Sequence, residues 1–505
     1  VQVASRSQGW FPWQAAQRSN TPKQDIPEGF ALKGQTHLVD LGEMSSKYNR
    51  AHADPSVLTE GAGDMTKLSR REFLIAGAAS AAAASTVGGA AFAAPTAPGG
   101  IDYPIEKGAT LRVLRWKRFV QGDEDLWNEN VKKFTELTGV PVRTDSEGFE
   151  DVRPKAAVAA NVGSGPDIVL GWFDDPHQYP TKLLDVSDLA NSLGSRYGGW
   201  YDVFQKYGKS NGKWIAIPLG VIGICLVYRD SHLKAAGFEA VPKDLPGFLK
   251  MAQALKAKNT PIGFAHGKAV GDANNYAHWL LWAHGGKLVD EHGSVVINSA
   301  ETRAALEYGK QLYQTMVQGT LSWQDPSNNK AYLDGQVSLT NNGISIYYAA
   351  KNSTDPKLLE LAKDTQHTHY PIGVSGKPTE LMQLTQMMAF KHTKYPNAAK
   401  AFLQFMMEPD QFNPWMKAAI GYVSQPLKAY EKNPVWTADP KATPYRDAAS
   451  LMLDHGHAGP LGQASAACLA DYVLVDMVAE AASGSKTVQQ AIDRAAERAK
   501  RFYKT

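Results

Sequence analysis

The chain has 505 residues, of which 43% are hydrophobic and 10% aromatic, with a formal net charge of +3 and two cysteines. That balance belongs to an ordinary globular protein and excludes a disordered chain, a disulfide framework and a basic nucleic-acid binder, since no Lys/Arg block is interleaved with aromatics. The length exceeds what one hydrophobic core supports and calls for two lobes or domains.

Residues 1–64 hold scattered Gly, Pro, Ser and Asp with no sustained period, and read as a disordered leader or a misassigned start ahead of Met65. Ser69-Arg70-Arg71-Glu72-Phe73-Leu74 then precedes an Ala-rich apolar stretch over 75–92 that closes on Ala91-Phe92-Ala93. Paired arginines before a weakly hydrophobic stretch and a small-residue exit read as a twin-arginine secretory signal over 65–93, cleaved near Ala93-Ala94. No cysteine follows to take a lipid anchor, and nothing after Ala94 is long and apolar enough to span a bilayer. The expected product is an exported protein.

Downstream, 95–100 reads as a linker and Leu111-Arg112-Val113-Leu114-Arg115-Trp116 alternates as a strand does. A helix is predicted over 124–137, with Leu126, Phe134 and Leu137 on one face and Gly139 as its stop. A strand over 140–143, an alanine-rich helix over 152–162 and the buried strand Ile168-Val169-Leu170-Gly171-Trp172 complete a β-α-β-α-β opening. That order argues for a mostly parallel, doubly wound sheet. Two apolar runs, 214–218 and 224–228, are joined through Leu219-Gly220-Val221-Ile222-Gly223, and Cys225 in the second run reads as a buried small hydrophobe. Amphipathic helices are predicted near 246–256, 275–284 and 300–318, then a strand over 337–340 leading into Asn341-Asn342-Gly343. Helices near 397–407 and 410–419 precede a last one over 487–502, where Thr487 and Gln490 have capping-box spacing.

Catalytic signatures fail on inspection. Gly208-Lys209-Ser210 ends like a phosphate loop, but Val203 stands where the earlier glycine is required. No H-E-x-x-H, C-x-x-C or G-x-S-x-G occurs. His367-x-His369 and His455-x-His457 each offer two ligands, one or two fewer than a zinc site needs. Instead, aromatics such as Trp116, Trp172, Tyr276, Trp279, Tyr347 and Tyr348 sit beside Asp174, Asp272, Asn274, Asn275, Asn341, Asn342 and Gln383. Sugars suit such walls, because their C–H faces pack on rings and their hydroxyls pair with amides and carboxylates. Open α/β sheets bind beyond the carboxyl ends of their strands, where Trp116 and Asp174 are expected.

Several segments carry a further likeness in their order: Gly163-Ser164-Gly165-Pro166-Asp167-Ile168-Val169 followed by Trp172-Phe173-Asp174, then Gly212-Lys213-Trp214-Ile215-Ala216-Ile217-Pro218, Tyr332-Leu333-Asp334-Gly335-Gln336-Val337, Ala398-Ala399-Lys400-Ala401-Phe402, and Thr487-Val488-Gln489-Gln490-Ala491-Ile492. Together they resemble the extracellular solute-binding proteins of ABC transporters, in particular the family that includes maltose-binding protein. The resemblance implies a two-lobed periplasmic-binding-protein fold, α/β, each lobe a mostly parallel sheet flanked by helices, with a hinge between. The implied first lobe is 101–220 plus 374–424 and the second 221–373 plus 425–505, with crossings near 220–223, 371–376 and 421–425.

It further implies a non-enzymatic, monomeric periplasmic protein without cofactor or metal. Its partners would be a small carbohydrate, polyol or glycoside, the ABC permease's transmembrane subunits and, during export, the twin-arginine translocase. Matching by order puts ligand contacts at Trp116, Lys117 and Arg118, at Asp174, at Ile222 in the first crossing, at Tyr276, at Asn341, Asn342 and Ser345, and at Gln463. Trp172, Asn274, Asn275 and Gln383 join them from the aromatic and amide pattern. The maltose binder's first-crossing carboxylate is replaced by Ile222, which argues against a long maltodextrin. Lys117 and Arg118 beside a ligand would favour an anionic group. An anionic or metal-linked solute therefore stays open, as does an exported glycoside hydrolase built on Asp174 and a distant carboxylate.

Overall fold

The leader, the twin-arginine segment and the cleavage point near Ala93-Ala94 lie outside the described residues, which in this computed structural model are 100–504. The chain opens as its pattern predicts. Strand β1 (Leu111–Trp116) is followed by a helix, Gln121–Thr138, which stops where Gly139 turns left-handed at φ 74°. Strand β2 (Val142–Glu147), the helix Val152–Val162 and strand β3 (Ile168–Trp172) follow. After a small ribbon of β4 (Lys209–Ser210) and β5 (Lys213–Trp214) come β6 (Ile217–Ile222) and β7 (Cys225–Arg229). Later strands are β8 (Leu339–Asn342), β9 (Thr365–Thr368) and β10 (Gln383–Ala389).

The first sheet has the order β2-β1-β3-β10-β6 and the second the order β8-β7-β9. Both are mixed or antiparallel rather than mostly parallel, which corrects that part of the expectation. In the first, β1 runs parallel to β2 and β3, but β10 is antiparallel to β3 and β6. In the second, β7 is antiparallel to both neighbours, and single parallel bridges join Ile262 to Leu339 and Met316. The physical reason lies in the connections. A parallel neighbour needs a crossover, supplied here by the helices among β1, β2 and β3, whereas a strand arriving from the other lobe, as β10 does, is free to run in reverse.

The lobes are joined where β6 of the first sheet passes through Gly223 and Ile224 into β7 of the second. On the return, Ile372 N still donates to Lys243 O at 2.8 Å and Val374 N to Ala283 O at 2.9 Å. The chain enters the first sheet only at Gln383, opposite Ile222. A third passage is clamped alongside: Val221 N donates to Ser424 O at 3.2 Å and Ser424 N to Val221 O at 2.7 Å. Gly220 permits this approach, since a Cβ there would lie 2.1 Å from Ser424 O.

The final helix is Val488–Phe502, with the capping box present: Gln490 N donates to Thr487 Oγ1 at 3.2 Å, and Thr487 N to Gln490 Oε1 at 3.0 Å. Cys225 and Cys468 are both buried free thiols. No described helix is long and apolar enough to cross a membrane. Gly220→Ala should lower unfolding stability by about 1–3 kcal/mol through overpacking against Ser424. Chemical denaturation checks this, and an unchanged midpoint would contradict the close approach.

Candidate functional site

Where the crossings lie side by side, a narrow cavity opens between the lobes. Each crossing contributes to its wall: Ile222 and Ile224 from the first, Gln383 from the second, Tyr422 from the third. The first lobe adds Phe119 and Phe149, and the second adds Asp272, Asp325, Asn329, Asn342, Gly343 and Ser345. Local structure explains the polar side. Asp272, Asp325 and Ser345 are the first residues of the helices Asp272–Ala283, Asp325–Leu333 and Ser345–Lys351. Those helices therefore begin at the cavity, and at two of them the first backbone N–H groups are already taken by carboxyls, Asp272 N by Asp325 and Asp325 N by Glu150.

Their amides form a connected lattice. Asn342 Nδ2 donates to Asn328 Oδ1 at 3.1 Å and also to Asn329 Oδ1. Ser345 Oγ donates to Asn342 Oδ1 at 2.8 Å and accepts from Asn329 Nδ2 at 2.9 Å. Behind them, Asn341 Nδ2 donates to Asp272 O at 2.8 Å and to Asn275 Oδ1 at 2.9 Å. Asn275 Oδ1 also accepts from Tyr370 Oη at 2.6 Å, and its amide donates to Leu381 O in the second crossing. Each amide is held by its neighbours, so this polar wall is formed before any ligand arrives.

The opposite wall is aromatic. Phe119 meets Phe149 edge-on at 5.2 Å between centroids, Phe149 lies on Trp172 at 4.1 Å, and Trp172 lies against Trp116 at 5.0 Å. Hydrogen bonds also span the cleft: Gly122 N donates to Tyr348 Oη at 3.0 Å, and Asp325 N to Glu150 Oε1 at 3.3 Å.

Of the residues singled out in the sequence, Ile222, Asn342, Ser345 and Gln383 line the cavity. Asn275 and Asn341 sit one layer behind, within the amide lattice. Trp116 is 0% exposed, because its indole Nε1 donates to Asp123 Oδ2 at 3.1 Å. Asp123 also takes Arg115 and, at 2.9 Å, Trp415 Nε1. Trp172 is buried behind Phe149. Lys117 and Arg118 are exposed, and Arg118 pairs with Glu124.

The chain leaves β3 through Phe173, left-handed at φ 44°. Asp174 is buried, with Oδ2 2.6 Å from His455 Nε2 and 3.2 Å from Ser465 Oγ. Its partners His455 and Ser465 line a second, smaller pocket with Asn274, while Asp174 itself lines neither that pocket nor the interlobe cavity. Tyr276 stacks on Phe264 at 4.8 Å within the second lobe, and Gln463 is exposed at the start of the helix Gln463–Ala470. The His-x-His pairs are dispersed: His367 Nδ1 contacts Lys441 O at 2.8 Å, and His455 Nδ1 contacts Tyr207 Oη at 3.0 Å. Among the described residues no group of three or more His, Cys, Asp or Glu could hold a metal ion.

Phe119, Phe149, Asp325, Asn329 and Tyr422 were not legible as site residues. The one available signal was Gln324-Asp325-Pro326-Ser327-Asn328-Asn329, whose helix-starting composition places polar side chains at a helix end. Electrostatically the cleft is acidic. Burial raises the Asp272 carboxyl well above the carboxylate range, and the charges of Asp325 and Glu150 push the same way. Asp325 is raised by burial and then by Glu150, against the pull of the backbone N–H groups it accepts.

Residues 129–444 match the family model described as bacterial extracellular solute-binding protein. A probable ABC transporter-binding protein of Deinococcus radiodurans is 25% identical over 290 residues, covering 56% of this chain and 67% of the relative. The structure of maltose-bound T. maritima MalE3 superposes with a TM-score of 0.68 at 18% identity, covering 78% of this chain and 99% of that one. A solute-binding protein of Agrobacterium radiobacter K84 in complex with ribitol gives a TM-score of 0.66 at 18% identity, with the same coverages of 78% and 99%. These two likenesses establish the two-lobed periplasmic-binding fold.

A buried carboxyl whose folded pKa is raised binds its proton more tightly in the native state, so its contribution to stability falls as pH rises above the ordinary carboxylate range. Asp325→Asn, which cannot ionise, should therefore gain in melting temperature relative to the unsubstituted protein as pH goes from about 4 towards neutrality. A difference that shrinks or stays flat across that range in paired melts would contradict the raised carboxyl.

Proposed function

The chain belongs to the bacterial extracellular solute-binding proteins, and from that premise we propose that it captures a small carbohydrate or polyol between its lobes and hands it to the transmembrane subunits of an ABC importer. One observation carries the reading: an interlobe cavity with a connected amide wall on one side and phenyl rings on the other. Hydroxyls of a pyranose or an open polyol pair with such amides, and the ring's C–H faces pack on Phe119, Phe149 and Tyr422. The relatives solved with maltose and with ribitol support the same ligand class.

Asn342, Ser345, Gln383 and Ile222, together with Asn329 and the aromatic wall, make the contacts in this reading. The protein acts as a monomer, without chemistry on its ligand, in the periplasm. Closure follows from the ligand's contacts with both lobes, which only the closed arrangement offers together.

A thermal-shift screen over sugars, polyols and glycosides tests the reading. A solute at a hundred times its dissociation constant should add about 2.7 kcal/mol to unfolding. Response to peptides, amino acids or metals alone would refute it. For the binder found, Asn342→Ala should weaken affinity by about ten-fold or more, as loss of buried hydrogen bonds does. Trp116→Ala should instead lower the melting temperature, since that indole packs in the core. Export is checked separately: Arg70→Lys with Arg71→Lys should keep the protein in the cytoplasm on cell fractionation, and unchanged periplasmic recovery would exclude the twin-arginine route.

A further inference from the structure

The charges at the cavity have a sign that a neutral sugar does not explain. Asp272 and Asp325 both line it and are each 5% exposed. Glu150 reaches them from the first lobe, through its hydrogen bond with Asp325 N. No lysine or arginine lines the cavity among the described residues. Helix starts attract anions, but here they already carry their own carboxylates. Asp325 Oδ1 accepts from Gly271 N at 3.0 Å and Asp272 N at 2.8 Å, capping the helix Asp272–Ala283. Asp272 Oδ2 accepts from Asn328 Nδ2 at 2.8 Å, and its other oxygen takes no hydrogen bond among the described residues. Two neighbouring buried carboxyls with no cation beside them ionise only at a cost, and either a bound proton or a cationic ligand neutralises them.

An independent feature of the same cavity points to a missing ligand. Gln383, 2% exposed, lines it from the second crossing, and its Nε2 has no hydrogen-bond partner. The amide is pressed against Gly271, where a Cβ would lie 2.3 Å from Gln383 Oε1. An unused donor, an unused carboxylate oxygen and a phenyl wall therefore converge on one space.

Resting on the carbohydrate reading of this cleft, we propose that the solute carries a protonated amino group, as an amino sugar or amino polyol does, and that Asp272 and Asp325, backed by Glu150, select it. An ammonium donates up to three hydrogen bonds and brings the counter-charge that the pair lacks. Its remaining face suits an aromatic ring such as Phe149 or Tyr422. Gln383 Nε2 then donates to a hydroxyl of the same solute. The same acidic wall repels an anionic solute, which is the opposite of what Lys117 and Arg118 suggested.

Matched pairs test this on the unaltered protein: D-glucosamine against D-glucose and N-acetyl-D-glucosamine, and D-glucamine against D-glucitol, by isothermal titration calorimetry. At least one amine should bind about ten-fold or more tighter than its neutral partners, the scale of a charge-assisted hydrogen bond. Asp272→Asn and, separately, Asp325→Asn should bring that ratio towards one, each checked by circular dichroism for a folded protein. Neutral members binding as well as or better than the amines would overturn the amine preference and leave the carbohydrate reading standing. No binding by any member, beside a neutral sugar or polyol that does bind, would overturn the amine preference alone; silence across the whole sugar and polyol screen as well would overturn both.

Discussion

The pairing of the three chain passages between the lobes is the constraint on which the rest depends. Val221 and Ser424 exchange backbone hydrogen bonds, and Gln383 pairs with Ile222 on the other side of the same strand. Backbone bonds at this spacing leave no room for a side chain at Gly220. They also fix the places of Ile222, Gln383 and Tyr422, all of which reach the cavity. The cleft is therefore aligned with the hinge by construction. Relative motion of the lobes has to bend the short spans just beyond these pairings, such as Gly223 and Ile224, because the paired residues move with the first sheet.

Around that axis the two lobes solve different problems. The first lobe buries large apolar and cationic groups at the end of β1, where Asp123 takes Arg115, Trp116 and Trp415 together. The second lobe presents polar groups at its helix starts and ties them to one another through Asn328, Asn329, Asn341 and Asn342. A connected amide wall is rigid, while one oxygen of Asp272 is left without a hydrogen-bond donor among the described residues. The result is a cleft whose shape comes from hydrogen bonding and whose carboxyls are held from ionising by burial.

Much of the fold was legible because it rests on local signals. The alternation of Leu111–Trp116 and the glycine stop at Gly139 gave strand and helix directly. The final helix was evident from its apolar stripe and its Thr487/Gln490 cap. The strand predicted over 337–340 is instead Leu339–Asn342, a shift that takes Asn341 and Asn342 out of a loop and into the sheet opposite Leu226 and Cys225. Four polar or apolar residues buried alike cannot be phased by periodicity, and pairing with β7 decides their register. In the same way Trp116 and Asp174 stand at strand ends, yet partners far away along the chain turn them inward: Trp415 shares Asp123 with Trp116, and His455 and Ser465 hold Asp174.

The sequence by itself determined the two-lobed α/β class and the solute-binding family, because each depends on residue types in a recognisable linear order. Tertiary structure alone decided that the sheets are mixed, that the Trp116 and Asp174 neighbourhoods are sealed, and that Phe119, Phe149, Asp325 and Tyr422 face one cavity with Asp272 and Gln383. The reason is distance along the chain. These side chains come from both lobes and all three crossings, and only the backbone pairing at the hinge brings them to within reach of a single small molecule.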